Sequence, residues 1–412
     1  MARAAASASD STRTRRRRLL TIAVALLGAA AIAAFVLLPD GTPPPSAERC
    51  GDVAREGALP ADDAREWIDL CVRLNQVQVL GTHNSYRVQP TPEMLGLLTA
   101  FSPDLARSLE YTHRPIDEQL DRGIRQLELD VFADPDGGRY ADPAGQRLAP
   151  GPAVDPDGAL QRPGFKVLHV QDVDFRSRCL TLVACLGTVK EWSKGHPGHV
   201  PLLVLIEVKD APIPDPGVGF VVPLPTEAAH LDALDEEVRS VFGPDHLLTP
   251  DDIRGRRATL HEAVTADGWP ALGQVRGKVM VALDNTGSVR DLYLSRRPTL
   301  EGRAMFASGE PPEPWAAFVK LNDPLTERAR IEELVRLGFV VRTRADGETE
   351  QGRTGDTAQR EAALASGAQW VSTDYPDPSP FGTGYVVRLP GGGAARCNPV
   401  MTWAPCATDL LE

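Results

Sequence analysis

The sequence has no C-x-x-C pair, no G-x-G-x-x-G after its first strand-like run, and no internal repeat. The first absence removes cysteine-based metal sites, and the second removes the dinucleotide fingerprint of an open doubly wound sheet. DPDGG (134–138) begins like a calcium loop but lacks the downstream glutamate of an EF-hand, so it reads as a surface turn. Positive charge is scarce in the main body. Residues 1–18 carry six arginines against one aspartate, so the net charge of -12 becomes -17 once that +5 segment is set aside. An acidic body argues against a nucleic-acid partner and favours divalent cations.

One long apolar run is present. Leu19 to Leu38 has no charged residue, follows TRTRRRR, and is long enough to cross a bilayer. The arginines would hold its start in the cytoplasm. No small-x-small cleavage site follows, so the reading is an uncleaved anchor rather than a removed signal peptide. Expected organisation is then a basic cytoplasmic segment (1–18), a transmembrane or signal helix (19–38) and a Pro-rich spacer (39–60). A catalytic-size body (61–385) and a disulfide-stapled C-terminal hairpin (386–412) follow. The body would lie on the extracellular face of the membrane or be secreted. Six cysteines, all beyond the apolar run, fit an oxidising compartment. Proximity suggests the pairs Cys50–Cys71, Cys179–Cys185 and Cys397–Cys406, one of fifteen connectivities.

The body alternates short apolar runs with helical patterns. Strand candidates are 77–86, 125–132, 165–170, 201–209, 278–285, 339–346 and 369–376, with either 303–308 or 317–323 completing a set of eight. Helical spacing occurs in 116–123, 225–243, 325–338 and 358–368, and Gly338 and Gly367 mark the stops of the last two. Near-continuous apolar strands alternating with helices predict a parallel sheet. Eight such units predict an α/β fold of the (β/α)8 TIM-barrel type, with the open doubly wound sheet as runner-up.

In such a barrel the strand C-termini converge on one mouth. Read in order, those ends supply His83 and Asn84, Glu128 and Asp130, His169, then Glu207 and Lys209, and later Asp284, Arg342, Arg344 and Asp374. Glu128 and Asp130 lie two apart in QLELDVF, so both face one side of their strand while Leu127, Leu129 and Val131 face the other. Alone, that acidic pair is as consistent with a solvent-facing edge as with a cation site. Asn84, Glu128, Asp130 and Glu207 together offer only oxygen donors, which suits calcium or magnesium better than zinc, and calcium best. His83 and His169 are then free to move protons near neutral pH. Lys209, with Arg342 or Arg344, would hold an anionic oxygen. A zinc hydrolase with both histidines as ligands is the alternative. Asp374 reads first as a turn cap before Pro376. No role is assigned to His113 or to the histidines in other loops and helices.

The ordered set GTHNSY, RQLELDVF, VLHV, LIEVKD and VSTDYP, with WPALGQVRGKVMVALD and FVKLNDP, resembles the bacterial calcium-dependent phosphoinositide-specific phospholipase C family over residues 70–410. The resemblance implies a phosphodiesterase of the phospholipase C-like TIM-barrel type with Ca2+ at its mouth. It implies His83 and His169 as the catalytic pair and Asn84, Glu128, Asp130 and Glu207 as metal ligands. Lys209 matches a phosphate-contacting lysine. The implied reaction is cleavage of phosphatidylinositol by its own neighbouring hydroxyl, through a cyclic inositol phosphate. His83 is assigned the proton for the leaving oxygen and His169 the stabilisation of the phosphorus centre. The expected partner is a phospholipid at a membrane surface, and the expected state a monomer. Glycerophosphodiester phosphodiesterases share the barrel and the E-x-D and E-x-K strands but open on a His-Arg-Gly type motif, where this chain has His83-Asn84-Ser85. A sphingomyelinase D-like enzyme and a non-catalytic surface-anchored binding protein are further alternatives.

Overall fold

Apolar runs rich in Val, Leu and Ile form most of the strands: β1 (Val77–Thr82), β2 (Ile124–Phe132), β3 (Lys166–Val167), β4 (Leu202–Val208), β5 (Val279–Leu283), β6 (Phe306–Ala307), β7 (Phe318–Lys320), β8 (Val340–Arg344), β9 (Trp370–Thr373) and β10 (Ala395–Cys397). The computed structural model describes Cys50, residues 64–401 and residues 406–412. The expected basic segment, the apolar run and all of the spacer but Cys50 lie outside those residues. Among the described residues no helix is long and apolar enough to cross a membrane.

Eight strands pair in parallel in the order β6-β5-β4-β2-β1-β9-β8-β7. The ends of that path meet at a bridge between Ser308 and Phe318, so the sheet is a nearly closed barrel. Ser308 Oγ strengthens the seam by accepting from Lys320 N at 3.0 Å. The strand count is as expected, but two members differ. Both 303–308 and 317–323 contribute barrel strands (β6 and β7), whereas 165–170 does not. Its strand β3 has two residues and pairs antiparallel with Val131 and Phe132 at the end of β2. The reason is competition for edges. β4 takes one edge of β2 along its length, and β1 takes the other only at Leu80 and Gly81, leaving room for β3 at the top. At the opposite end of this seam β10 pairs antiparallel with Val77–Val79 of β1. The C-terminal segment thus adds a strand to β1, and among the described residues it forms no hairpin of its own.

The helices include α1 (Ala64–Cys71), α2 (Ile116–Asp121), α3 (Leu182–Gly195), α4 (Ala228–Val241), α5 (Arg328–Arg336) and α6 (Ala358–Ala365). Of these, α2, α4, α5 and α6 lie where the periodicity places them, and α3 falls outside the expected set. Gly338 and Gly367, just beyond α5 and α6, have φ of +99° and +81°, the left-handed turn that glycine adopts without steric cost. The three disulfides pair Cys50 with Cys71, Cys179 with Cys185 and Cys397 with Cys406, as proximity suggested. Every residue of β4 is buried except Glu207, which is intermediate. A fully buried Leu, Ile or Val contributes about 1.5–3 kcal/mol. A carboxylate inside that run is a position where packing has yielded to another requirement.

Candidate active site

The two acids of β2 are the centre of the site. Leu127, Leu129 and Val131 are buried in the core, and Glu128 and Asp130 on the other face are buried as well, at 3% and 1% exposure. A solvent-facing edge is therefore ruled out. Parallel pairing sets Asp130 beside Glu207 of β4. Ligand atoms of Glu128, Asp130 and Glu207 lie within 4.8 Å of one another.

Lys209 spans two of them, with Nζ 2.8 Å from Glu207 Oε2 and 3.2 Å from Asp130 Oδ2. Arg342 is 1% exposed and ends on Glu128, with Nη1 donating to Asn322 Oδ1 at 2.6 Å and Nη2 to Ser372 Oγ at 3.1 Å. The expected anion-holding role does not suit Arg342 in this position, because its buried guanidinium is committed to Glu128, Asn322 and Ser372. Asp284, another strand-end acid, is taken up by Lys320 at 2.6 Å.

Asn84 follows β1 in a left-handed turn, φ +48°, a conformation Asn tolerates better than most residues. Ser85 fastens that turn to β2. Its N–H donates to Glu128 O, and its Oγ accepts from Glu128 N, both at 2.9 Å. Asn84 Nδ2 donates to Tyr111 Oη at 3.3 Å, which fixes the amide and leaves Oδ1 buried without a hydrogen-bond partner. Asp130 Oδ1 is likewise buried without a partner, while its Oδ2 meets only Lys209, at 3.2 Å. Unpartnered buried oxygens are costly. Burial pushes the Asp130 carboxyl well above its usual range, with Lys209 opposing and Glu207 adding. Burial likewise lifts Glu128 to about 7 against the pull of Arg342. These are oxygen donors lacking a cation, and the set fits Ca2+.

His83 stands at the edge of this cradle, Nε2 3.8 Å from Glu128 Oε1. Its Nδ1 lies 2.9 Å from Asp374 Oδ1. A carboxylate only accepts, so Nδ1 carries the hydrogen and Nε2 presents its lone pair. Burial pushes the imidazole down to about 3, with the Arg344 guanidinium adding and Asp374 opposing. Burial works against ionisation of Asp374, but His83 and Arg344 outweigh it and hold the carboxyl at about 2. Asp374 therefore faces His83 rather than serving only as a turn cap. The signal was available: in a closed barrel the first and last strands are neighbours, and Thr82 pairs with Thr373.

His169 stands apart from the acids, at the same end of the barrel because β3 pairs with the last residues of β2. Asp172 (φ +66°) turns the chain so that Val170 and Asp174 exchange backbone hydrogen bonds. Asp174 thereby returns to His169, Oδ2 2.7 Å from Nδ1. Arg87, Tyr111 and Asp174, none singled out by sequence, join the two histidines. Arg87 pairs with Asp174 at 2.9 Å and stacks 4.3 Å from the Tyr111 ring centroid, and Tyr111 Oη lies 3.2 Å from His83 Nδ1.

A cation cradle, a flanking lysine and two carboxylate-held histidines are the parts needed to cleave a phosphodiester. The comparisons agree. The family model for Ca2+-dependent phosphoinositide phospholipase C matches residues 72–399. Among solved structures, the barrel is similar to a calcium-dependent phosphoinositol-specific phospholipase C from a Pseudomonas species. Its crystal form 2 is 16% identical with a TM-score of 0.50, covering 83% of this chain and 98% of that one. Its myoinositol complex is 17% identical with a TM-score of 0.51, covering 80% and 96%. At such identities these likenesses bear on the fold. A search of curated protein sequences finds no significant match. With a match spanning nearly the whole described body, the chain belongs to the Ca2+-dependent phosphoinositide phospholipase C family, a phosphoric diester hydrolase with calcium as its cofactor.

Proposed function

We propose that this enzyme cleaves the glycerol–phosphate bond of phosphatidylinositol at a membrane surface, with the headgroup's own neighbouring hydroxyl as nucleophile. The observation that carries the reading is the pair of buried oxygens without a partner, Asn84 Oδ1 and Asp130 Oδ1, beside Glu128 and Glu207. Those four residues would hold Ca2+. When bound, the ion supplies Lewis acidity that lowers the hydroxyl's pKa and neutralises charge developing on the phosphate.

The chain's own residues do the rest. Three carboxylates with Lys209 and Arg342 leave one net negative charge, and a bound divalent cation reverses that sign in favour of an incoming phosphodiester. Lys209, 27% exposed, is placed to meet a phosphate oxygen. His83 and His169 each have Nδ1 tied to a carboxylate, so each directs Nε2 away from it as the proton-handling atom. The hydroxyl oxygen forms the new bond to phosphorus, and its proton passes to one imidazole. The bond to the diacylglycerol oxygen breaks, and that oxygen takes a proton from the other. Water then reopens the cyclic phosphate.

The enzyme would act outside the cytoplasm as a monomer, held there by the apolar run 19–38, in keeping with its three disulfides. The test is an assay of phosphatidylinositol, glycerophosphoinositol, glycerophosphocholine and sphingomyelin, each with Ca2+ or with chelator. Ca2+-dependent release of a cyclic inositol phosphate is expected. Free glycerol phosphate as the product, or activity unaffected by chelator, would overturn the reading.

A further inference from the structure

A cavity of about 540 Å³ lies on the flank of the barrel, outside the mouth. Its floor includes Leu80 of β1 and Ile124 of β2, and its walls come from α2 and the C-terminal segment around Val387 and Leu389. Leu80 lies on the same strand face as Thr82, whose Oγ1 donates to Gln119 Oε1 of α2 at 2.7 Å. That face points to the helix layer, whereas His83 faces the mouth. None of Glu128, Asp130, His169, Glu207 or Lys209 lines the cavity.

Its charge is opposite to that of the chain as a whole. Arg114, Arg122, Arg178 and Arg388 line it, in a protein of net charge -12. One surface carboxylate, Asp377, serves two of them, Arg114 Nε at 2.6 Å and Arg122 Nη1 at 3.4 Å. The other lining carboxylate, Asp374, is held by His83 and Arg344. Arg178 Nε donates only to the carbonyl of His113, and Arg388 makes no ion pair among the described residues. Glu118 also pairs with Arg114 Nη1 at 3.4 Å, so four guanidinium groups meet two available carboxylates. That still leaves an excess of positive charge, and the planar forks match phosphate oxygens. The apolar floor suits the carbon skeleton of a small ester.

We propose that this flank cavity is a second ligand site, separate from the metal cradle, which takes a phosphate-bearing small anion. The guanidinium groups hold the phosphate, and Leu80, Val387 and Leu389 hold the rest of the ligand. The chemistry has two sources, a free phosphate ester or the headgroup of an anionic lipid. The inner wall reaches the reaction site through Asp374 and through His113, whose Nε2 donates to His83 O at 2.8 Å. An occupant is thus one residue away from the His83 imidazole.

The experiment is calorimetric titration of the full chain with inorganic phosphate and with glycerol 3-phosphate, in chelator so that the metal cradle plays no part. Three proteins are compared: the parent, K209Q at the mouth, and R122E/R388E on the flank. Saturable binding is expected in the parent and K209Q, weakened about tenfold or more in R122E/R388E. The milder R122Q/R388Q should fall between, and because both substituted side chains, Arg122 and Arg388, are exposed, the variants should fold, which thermal melting checks. Absence of saturable binding in the parent overturns the proposal. So does binding that survives in R122E/R388E or disappears in K209Q. Sedimentation with phosphatidylglycerol and with phosphatidylcholine vesicles separates the sources. Selective loss of anionic-vesicle binding in R122E/R388E identifies a headgroup site. Unchanged vesicle binding, alongside lost phosphate binding, identifies a site for free esters.

Discussion

Nη2 of Arg87 lies 2.9 Å from Oδ2 of Asp174, and both side chains are 1% exposed. The same oxygen meets Nδ1 of His169, so one buried ion pair decides whether that imidazole keeps its orientation. Removing one partner of a buried pair strands the other charge and costs about 3–5 kcal/mol, whereas replacing both by apolar groups is often neutral. R87M should therefore lower unfolding stability in urea by about that amount, and R87M/D174L should regain most of it. A loss below about 1 kcal/mol in R87M would show that Asp174 is not stranded without Arg87, with His169 sufficing to hold its charge.

Asp130 sets stability against function. Its carboxyl is buried, has Lys209 on Oδ2 and no partner on Oδ1, and is pushed well above the ordinary range by burial. D130N removes the charge while keeping the shape, so without Ca2+ the variant should melt at or above the parent's temperature. With Ca2+ at a hundred times its dissociation constant, the parent gains about 2.7 kcal/mol, and the variant should gain little of it. A D130N protein still stabilised by Ca2+ to the parent's extent would place the metal elsewhere.

Much of this site was legible because a strand's period is two and a barrel's strand ends share one mouth. Glu128, Asp130 and Glu207 follow from those rules alone. The pairing partners were legible only through the closure of the barrel or not at all, since each depends on a contact between segments far apart in sequence. Asp374 reaches His83 only because β1 and β9 are neighbours. Arg87 reaches Asp174 across 87 positions through a turn that Asp172 makes in the left-handed region. The misread strand has a similar cause. FKVLHV is apolar enough for a barrel strand, but the edge of β2 left open to it admits only two residues, antiparallel. Arg342 reads from sequence as a strand-end cation, and only its burial against Glu128 shows that it serves a carboxylate of the cradle.

The histidines carry the proton transfers in the proposed reaction, and each is held by one carboxylate. H83A and H169A should each reduce kcat by about 10²–10⁴-fold with Ca2+ affinity retained, measured by turnover and by calorimetry on the same preparations. D374N keeps the shape around His83 but offers Nδ1 an amide, which permits the wrong tautomer. It should lower kcat with little change in KM. A variant of either histidine with normal turnover removes that residue from the reaction.

His113 makes the fold sensitive to acid. Its ring is 3% exposed, and burial pushes it down to about 4 from an ordinary 6.5, with Asp374 opposing. Above pH 6.5 it is neutral both folded and unfolded and contributes nothing to pH dependence. As pH falls below 6.5 the unfolded chain takes a proton that the folded chain refuses, so stability is lost until about pH 4. At about 1.4 kcal/mol per unit, the loss between pH 7 and 5 is about 2 kcal/mol from this residue. Glu128 and Asp346, both raised to about 7 chiefly by burial, act with the opposite sign, because the folded protein protonates them first. His83, pushed down like His113, adds to the loss. The measurable quantity is therefore a difference. H113Q retains a donor for His83 O but cannot ionise. In chelator, its unfolding free energy relative to the parent should rise by about 2 kcal/mol between pH 7 and pH 5. Parallel stability curves over that range would mean that His113 is protonated as readily in the folded protein as in the unfolded one, and that burial does not keep it neutral.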